Sequence, residues 1–296
     1  MKKILISGGT GLIGKRLSLL LKSKGYEVRL LSRNKNSVSD YQTFLWNIEE
    51  SYIDEQAFKD VDYIIHLAGA GIADKKWTKK RKQTIINSRV LSTELLLQTV
   101  NRLKIPIKAF ISSSAIGYYG SITSDTIFEE SHQPASDFLG EVCKKWEDSV
   151  FKCKDKNIRT LAIRTGIVLS KNGGALSKMK TQIISPLGNG RQYMPWIHID
   201  DLCEMYIKAI EDESMEGVFN GVSPEHQTNK SFSKILAKSL KRPFLPIGVP
   251  SFILKLVFGE MATILLNGSR ISSNKIKNIG FQFKFKTLQE ALKNTL

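Results

Sequence analysis

The sequence predicts an α/β protein built on a doubly wound parallel sheet with a smaller C-terminal region, and three observations carry that prediction. Short β-rich runs alternate with helical stretches over the first two thirds of the 296 residues, the order that builds βαβ units. Several of the runs, Tyr63-Ile64-Ile65-His66-Leu67-Ala68 among them, are nearly all apolar, as parallel strands covered on both faces must be. The first run passes directly into the glycine-rich turn Gly8-Gly9-Thr10-Gly11-Leu12-Ile13-Gly14 and then a helix.

Taken in order, strands are expected at Lys3 to Ser7, Glu27 to Ser32, Thr43 to Trp46, Tyr63 to Ala68, Ala109 to Ser113 and Thr160 to Arg164. Leu12 to Lys24 and Thr78 to Leu103 carry apolar residues at helical spacing, and Gly25 stands where the first helix would stop. Past residue 170 the alternation fails at Asn172-Gly173-Gly174 and Pro186-Leu187-Gly188-Asn189-Gly190. The expected organisation is therefore a main unit over 1–170, to which a strand and helix return from about 197–222, then loops and remaining sheet elements over 171–248. A helical C-terminal unit over 249–296 follows, with Pro250 near a helix start and Thr287 to Leu292 as an amphipathic end.

The glycine turn carries the most specific chemistry. Its early glycines let the backbone turn tightly and approach a pyrophosphate, the last allows close helix packing, and free N–H groups at a helix start attract phosphate charge. Placed between a first strand and a first helix it reads as a dinucleotide site, with Gly8, Thr10, Gly11, Leu12, Ile13 and Gly14 as contacts. An acidic residue at the end of the second strand would accept a hydrogen bond from a free ribose 2′-hydroxyl. Here the chain reads Ser32-Arg33-Asn34-Lys35, and a guanidinium suits a 2′-phosphate, so NADP(H) is expected over NAD(H).

Composition bounds the alternatives. No apolar run reaches the ~18 residues that span a bilayer, and Met1-Lys2-Lys3 enters a strand with no secretory pattern, so a cytoplasmic protein is expected. Cys143, Cys153 and Cys203 lack the spacing of a metal site or a disulfide framework, so no metal is expected and the thiols read as reduced. The net charge of +16 admits an anionic partner, but lysines are scattered apart from the run Lys75 to Lys82, and no nucleic-acid signature accompanies them. Neither a nucleic acid nor a membrane is expected as partner.

The segments GGTGLIG from Gly8, HLAGA over His66 to Ala70, SSSAIGYYG over Ser112 to Gly120 and WIHIDD over Trp196 to Asp201 together resemble the extended short-chain dehydrogenase/reductase superfamily. More narrowly, Asn87-Ser88-Arg89, Phe138 to Cys143 with Trp146-Glu147, Arg164 to Leu169, Gly259-Glu260-Met261 and Gly280-Phe281 are similar to one atypical branch. That branch is the epimerase family proteins, sugar-nucleotide epimerase-like chains with a C-terminal domain of unknown function. The resemblance implies a Rossmann-type fold with NADP(H) across the strand ends, contacts from Leu67, Ala68, Gly69, Ala70, Arg164 and Thr165, and a small-molecule substrate. A homodimer is the assembly it suggests.

The superfamily's chemistry uses a tyrosine, a lysine four residues later and a serine. In this chain the tyrosine position falls at Phe138 or Leu139 and the lysine position at Val142 or Cys143, none of which transfers a proton or fixes a positive charge in the same way. Ser114 or Ser113 stands for the serine. Other proton-carrying candidates are Tyr118, Tyr119, Tyr193, His198, Cys143 and Glu141, with Arg164, Arg191 and Arg270 as binders of an acidic substrate group. Two functions remain open: an NADP(H)-dependent reductase or epimerase acting on a sugar nucleotide or other small carbonyl compound, and a catalytically silent NADP(H)-binding sensor.

Overall fold

The computed structural model describes residues 1–34, 40–153 and 158–296; Lys35 lies outside them. In chain order the elements are β1 (Lys3–Ser7), α1 (Leu12–Ser23), β2 (Glu27–Ser32), β3 (Gln42–Asn47), β4 (Tyr52–Ile53), β5 (Tyr63–His66), α2 (Lys79–Arg102), β6 (Ala109–Ala115), β7 (Ile127–Phe128), α3 (Phe138–Phe151), β8 (Arg159–Thr165) and β9 (Ile167–Leu169). They continue with α4 (Ala175–Met179), β10 (Trp196–His198), α5 (Ile199–Glu211), β11 (Gly217–Gly221), α6 (Asn229–Leu240), α7 (Ser251–Phe258), α8 (Thr263–Leu266), β12 (Arg270–Ile271), α9 (Asn274–Asn278) and α10 (Leu288–Thr295).

Eight strands form the main sheet in the order β11-β8-β6-β5-β1-β2-β3-β4, all parallel except the short β3–β4 pair. Strand pleating sends successive side chains to opposite faces. Ile4, Ile6, Tyr63, Ile65, Ala109 and Ile111 accordingly meet Leu17 and Leu21 of α1 and Leu202 and Tyr206 of α5 on one face. Leu5, Ile64 and Phe110 meet Leu96 and Val100 of α2 and Trp146 and Val150 of α3 on the other. The strand expected to reach Ala68 stops at His66, and Leu67 to Ala70 form the loop that leaves the sheet.

From β1 the chain winds outward through β2 and β3, then returns across β1 to lay down β5, β6, β8 and β11. The order therefore reverses between β1 and β5. A crevice opens at such a switch point, at the carboxyl ends of the strands.

The last part of the chain contains helices together with the strand β12, which pairs in parallel with β7. Ile276, Phe281 and Phe283 enter the core beneath α1 and α5, while Leu288 and Leu292 of α10 pack with Phe232 and Leu236 of α6. Thr287 and Glu290 form a reciprocal capping box at the start of α10. Among the described residues no helix is long and apolar enough to cross a membrane, and no cluster of His, Cys, Asp and Glu is arranged to hold a metal ion.

Candidate dinucleotide cleft

The glycine turn adopts the backbone geometry that its composition requires. Gly8 has φ +74°, where side chains are strained, and a Cβ there would lie 2.8 Å from the backbone of Leu67 and Ala68. A Cβ on Gly14 would stand 2.4 Å from Gly8 O and 2.5 Å from Gly9 Cα, so only glycine lets α1 start this close to the turn. Gly11 occupies the N-cap of α1 with no side-chain hydrogen bond, and the first turn of the helix holds no acidic residue. The N–H groups there and the positive end of the helix dipole are left for an anion.

Around the turn lies a cleft of about 980 Å³. Gly8, Thr10 and Gly11 form its floor, Leu67 to Ala70 one side, and Leu31 to Asn34 the far end, with Trp46 to Glu49 behind them. Arg33 lines that far end, is exposed, and pairs with no carboxylate among the described residues. The remaining wall is one face of α2, formed by Lys80, Gln83, Thr84, Asn87, Ser88 and Leu91. Those α2 residues and Trp46-Asn47 were not among the expected contacts. The α2 set recurs every three or four positions, the helical spacing that marks a shared face, whereas nothing in sequence distinguishes Trp46-Asn47 from an ordinary strand end.

Two hydrogen bonds from α2 fix the loop after β5. Ala70 N donates to Ser88 Oγ at 2.9 Å, and Arg89 Nη1 donates to Ala70 O at 3.0 Å. Beneath them His66 is fully buried and bonds through its two ring nitrogens to Ser7 Oγ and Ser92 Oγ, joining β1, β5 and α2.

Of the expected cofactor contacts, Gly8, Thr10, Gly11, Arg33 and Leu67 to Ala70 line the cleft together, while Leu12, Ile13 and Gly14 follow the turn into α1 and shape it from behind. Thr165 ends β8, outside this lining. Arg164 lies outside it as well. Its guanidinium donates through Nε and Nη2 to both carboxylate oxygens of Glu147, at 2.9 and 2.8 Å, and through Nη1 to Tyr119 and to Glu130 O. With side-chain exposures of 2% and 7% for the two partners, the bidentate pair lies inside the protein.

The same network absorbs two proposed catalytic groups. Ser114 Oγ donates to Glu147 Oε1 at 2.6 Å, and the Tyr119 hydroxyl donates to Asn220 Oδ1 at 2.7 Å while accepting from Arg164. Burial pushes the Tyr119 phenol up to about 12. His198 is a structural cap rather than a free base: its Nδ1 accepts from Asp200 N at the start of α5, its Nε2 hydrogen-bonds Asn294, and burial lowers its pKa. Cys143 is buried, with its thiol pushed up to about 12 by desolvation, and Glu141 is an exposed ion-pair partner of Lys145. Tyr118 alone among the four expected catalytic residues remains partly open, its ring 3.3 Å from the Arg164 guanidinium carbon. Arg270 lies over the Tyr193 ring.

Comparison with known proteins agrees with the geometry. Residues 4–138 match the NAD dependent epimerase/dehydratase family, and residues 249–295 match a domain of unknown function, DUF1731. An epimerase family protein of Mycobacterium leprae is 32% identical over 295 residues, covering 98% of this chain and 94% of the relative. Epimerase family protein SDR39U1 of Mus musculus is 33% identical over 302 residues, covering 99% of each. The chain belongs to the epimerase family. Within this family, the crystal structure of human SDR39U1 with NADPH superposes with a TM-score of 0.88 at 29% identity, covering 99% of this chain and 98% of that one. The UDP-glucose 4-epimerase of Thermotoga maritima, 20% identical, shares the fold at a TM-score of 0.78 over 99% and 97% of the two chains.

Proposed function

We propose that this epimerase-family chain binds NADP(H) in the cleft and reduces or epimerises a small carbonyl compound, a sugar nucleotide being one candidate, without the usual tyrosine–lysine pair. The observation that carries the cofactor reading is the conjunction of the glycine-cradled, uncapped start of α1 with Arg33 just after β2, which pairs with no carboxylate among the described residues. A 2′-phosphate at that end would take two parallel hydrogen bonds from the guanidinium, and the crystallised human relative with NADPH supports the same choice. When bound, NADP(H) supplies the hydride.

Tyr118 is the proton-transferring group that best fits. Burial raises its pKa more than the neighbouring Arg164 lowers it, so the phenol stays protonated at neutral pH and can donate to a carbonyl oxygen. A silent, cofactor-sensing protein is the second reading, and it is favoured by the α3 positions where the family chemistry would lie. Phe138 stacks edge-on against Trp77, and Val142 and Cys143 are buried.

The test uses the full chain. Arg33→Ala is expected to weaken NADPH binding at least tenfold and leave NADH unchanged; equal loss of both would sink the preference for the phosphorylated cofactor. Loss of reduced-nicotinamide absorbance with a panel of small carbonyl compounds and sugar nucleotides, slowed about 10²-fold or more in Tyr118→Phe, is expected of the enzyme. No turnover across such a panel by a chain that binds NADPH would leave the sensor.

A further inference from the structure

We propose that Arg89 supplies, from α2, the fixed positive charge at the nicotinamide end of the cleft, where it holds the ribose and phosphate oxygens of that half of the cofactor. The inference rests on the NADP(H) reading and goes beyond it to a residue in a different helix from the one that bears the superfamily lysine.

The argument begins with direction. Arg33 and Trp46 at the ends of β2 and β3 mark one end of the cleft, and the glycine turn after β1 marks its middle. A dinucleotide anchored at both points must send its other half across the ends of β5, β6 and β8. Arg89 stands on that side. A Cβ on Gly69, in the loop after β5, would lie 3.1 Å from its guanidinium carbon, and the guanidinium sits 5.0 Å over the Trp146 ring of α3. Its charge is felt by Cys143, one turn before Trp146, whose sulfur faces Gly117 just beyond β6. The cation is therefore lodged between the loops that end β5 and β6, next to Cys143, one of the two α3 residues that stand for the lysine position.

The bonding inventory leaves part of this cation unused. Nη1 donates to Ala70 O and Ile85 O, both at 3.0 Å, but Nε and Nη2 have no hydrogen-bond partner among the described residues. Arg29 and Arg164, which are buried where Arg89 is half-buried, each meet a carboxylate, at 2.8 Å from Glu27 and Glu147 respectively. No carboxylate pairs with Arg89 among the described residues, and burial lowers its pKa with only the neighbouring thiol opposing. A half-buried guanidinium with two open donors beside a cofactor cleft is matched by electron-rich oxygens, which ribose hydroxyls and a phosphate provide.

The experiment compares the full-length wild type, Arg89→Met and Arg89→Lys by calorimetric titration with two probes. NADPH carries both halves of the dinucleotide, whereas adenosine 2′,5′-bisphosphate carries only the adenosine half. Arg89→Met is expected to weaken NADPH at least tenfold, about 1.4 kcal/mol, to leave adenosine 2′,5′-bisphosphate within twofold of the wild type, and to be partly rescued by Arg89→Lys. Unchanged NADPH affinity overturns the proposal. Equal weakening of both probes overturns it too, because Arg89 would then only brace the Ala70 loop. Should the wild type bind adenosine 2′,5′-bisphosphate and NADPH equally weakly or not at all, the NADP(H) reading itself falls, an outcome separate from a change confined to the variants.

Discussion

At the scale of single residues, what decides function is whether a charge already has a partner. Among the described residues Arg33, Arg89 and Arg164 are the same side chain in three conditions: exposed and without a carboxylate partner, lodged beside the cleft without a carboxylate, and locked to Glu147. Arg164 spends Nε, Nη1 and Nη2 on Glu147, Tyr119 and Glu130 O, whereas the proposals for Arg33 and Arg89 rest on donors that no described residue takes. His66 shows the converse, a titratable group kept neutral by its surroundings. Desolvation pushes it down to about 3, far below the ~6.5 of an unfolded histidine. Between those values the unfolded chain binds a proton that the folded chain refuses, so the stability that neutral His66 contributes is present above about pH 6.5 and is lost as the pH falls. The difference in unfolding free energy between wild type and His66→Asn, followed by urea titration, should shrink by up to about 1.4 kcal/mol per pH unit on going from pH 6 to pH 4. A difference independent of pH would show that the imidazole is protonated inside the fold.

At the scale of elements, the glycine turn and α1 act as one part, because the helix can begin where it does only if position 14 has no side chain. Gly14→Ala forces a Cβ into Gly8 O and Gly9 Cα, so α1 must retreat and the N–H groups around Gly11 lose their common focus. NADPH affinity is expected to fall at least tenfold by calorimetry. Gly25→Ala, at φ +83° but in open space, supplies the contrast: it should cost roughly 1–2 kcal/mol of stability and leave the affinity alone. If the two variants bind NADPH alike, the cradle does not depend on that close approach. The same elements explain what was legible beforehand. The strands β1, β2, β3, β5, β6 and β8 and the helices α1 and α2 announce themselves through apolar runs and helical spacing, and the capping residue Thr78 accepts from Arg81 N where a helix start was expected. The short strands β4, β7, β9, β10 and β12, of two or three residues, are too brief to leave a period, and β11 is bounded by glycines at both ends. In the site, the floor was legible because backbone geometry demands glycine. The partnering of Ser114, Tyr119 and Arg164 was not, since it depends on Glu147 and Asn220 arriving from α3 and β11.

At the scale of the whole molecule, the C-terminal stretch is joined to the sheet by its core rather than by a surface. Asp201, in the first turn of α5, accepts from Lys284 N and Phe285 N at 2.8 and 3.1 Å, and Glu225 accepts from Leu288 N. Ile276, Phe281 and Phe283 lie in the cluster that also holds Ile4, Leu17 and Leu202, while Phe285, Leu288 and Leu292 lie with Trp196 and Phe232. Burying each such side chain contributes about 1.5–3 kcal/mol, so these six together rival the whole ~5–15 kcal/mol by which a folded chain exceeds its unfolded state. Removing residues 249–296 should therefore do more than delete an appendage: it strips the solvent-facing cover from α5 and α6 and orphans the Asp201 carboxylate. The intact chain is expected to melt in a single transition, with circular dichroism and intrinsic fluorescence coincident, and the chain ending at residue 248 to show no cooperative melt. A truncated chain that still melted sharply and bound NADPH with wild-type affinity would mean that the sheet and its cleft are complete without the C-terminal stretch, and that the contacts around Asp201 contribute little to either.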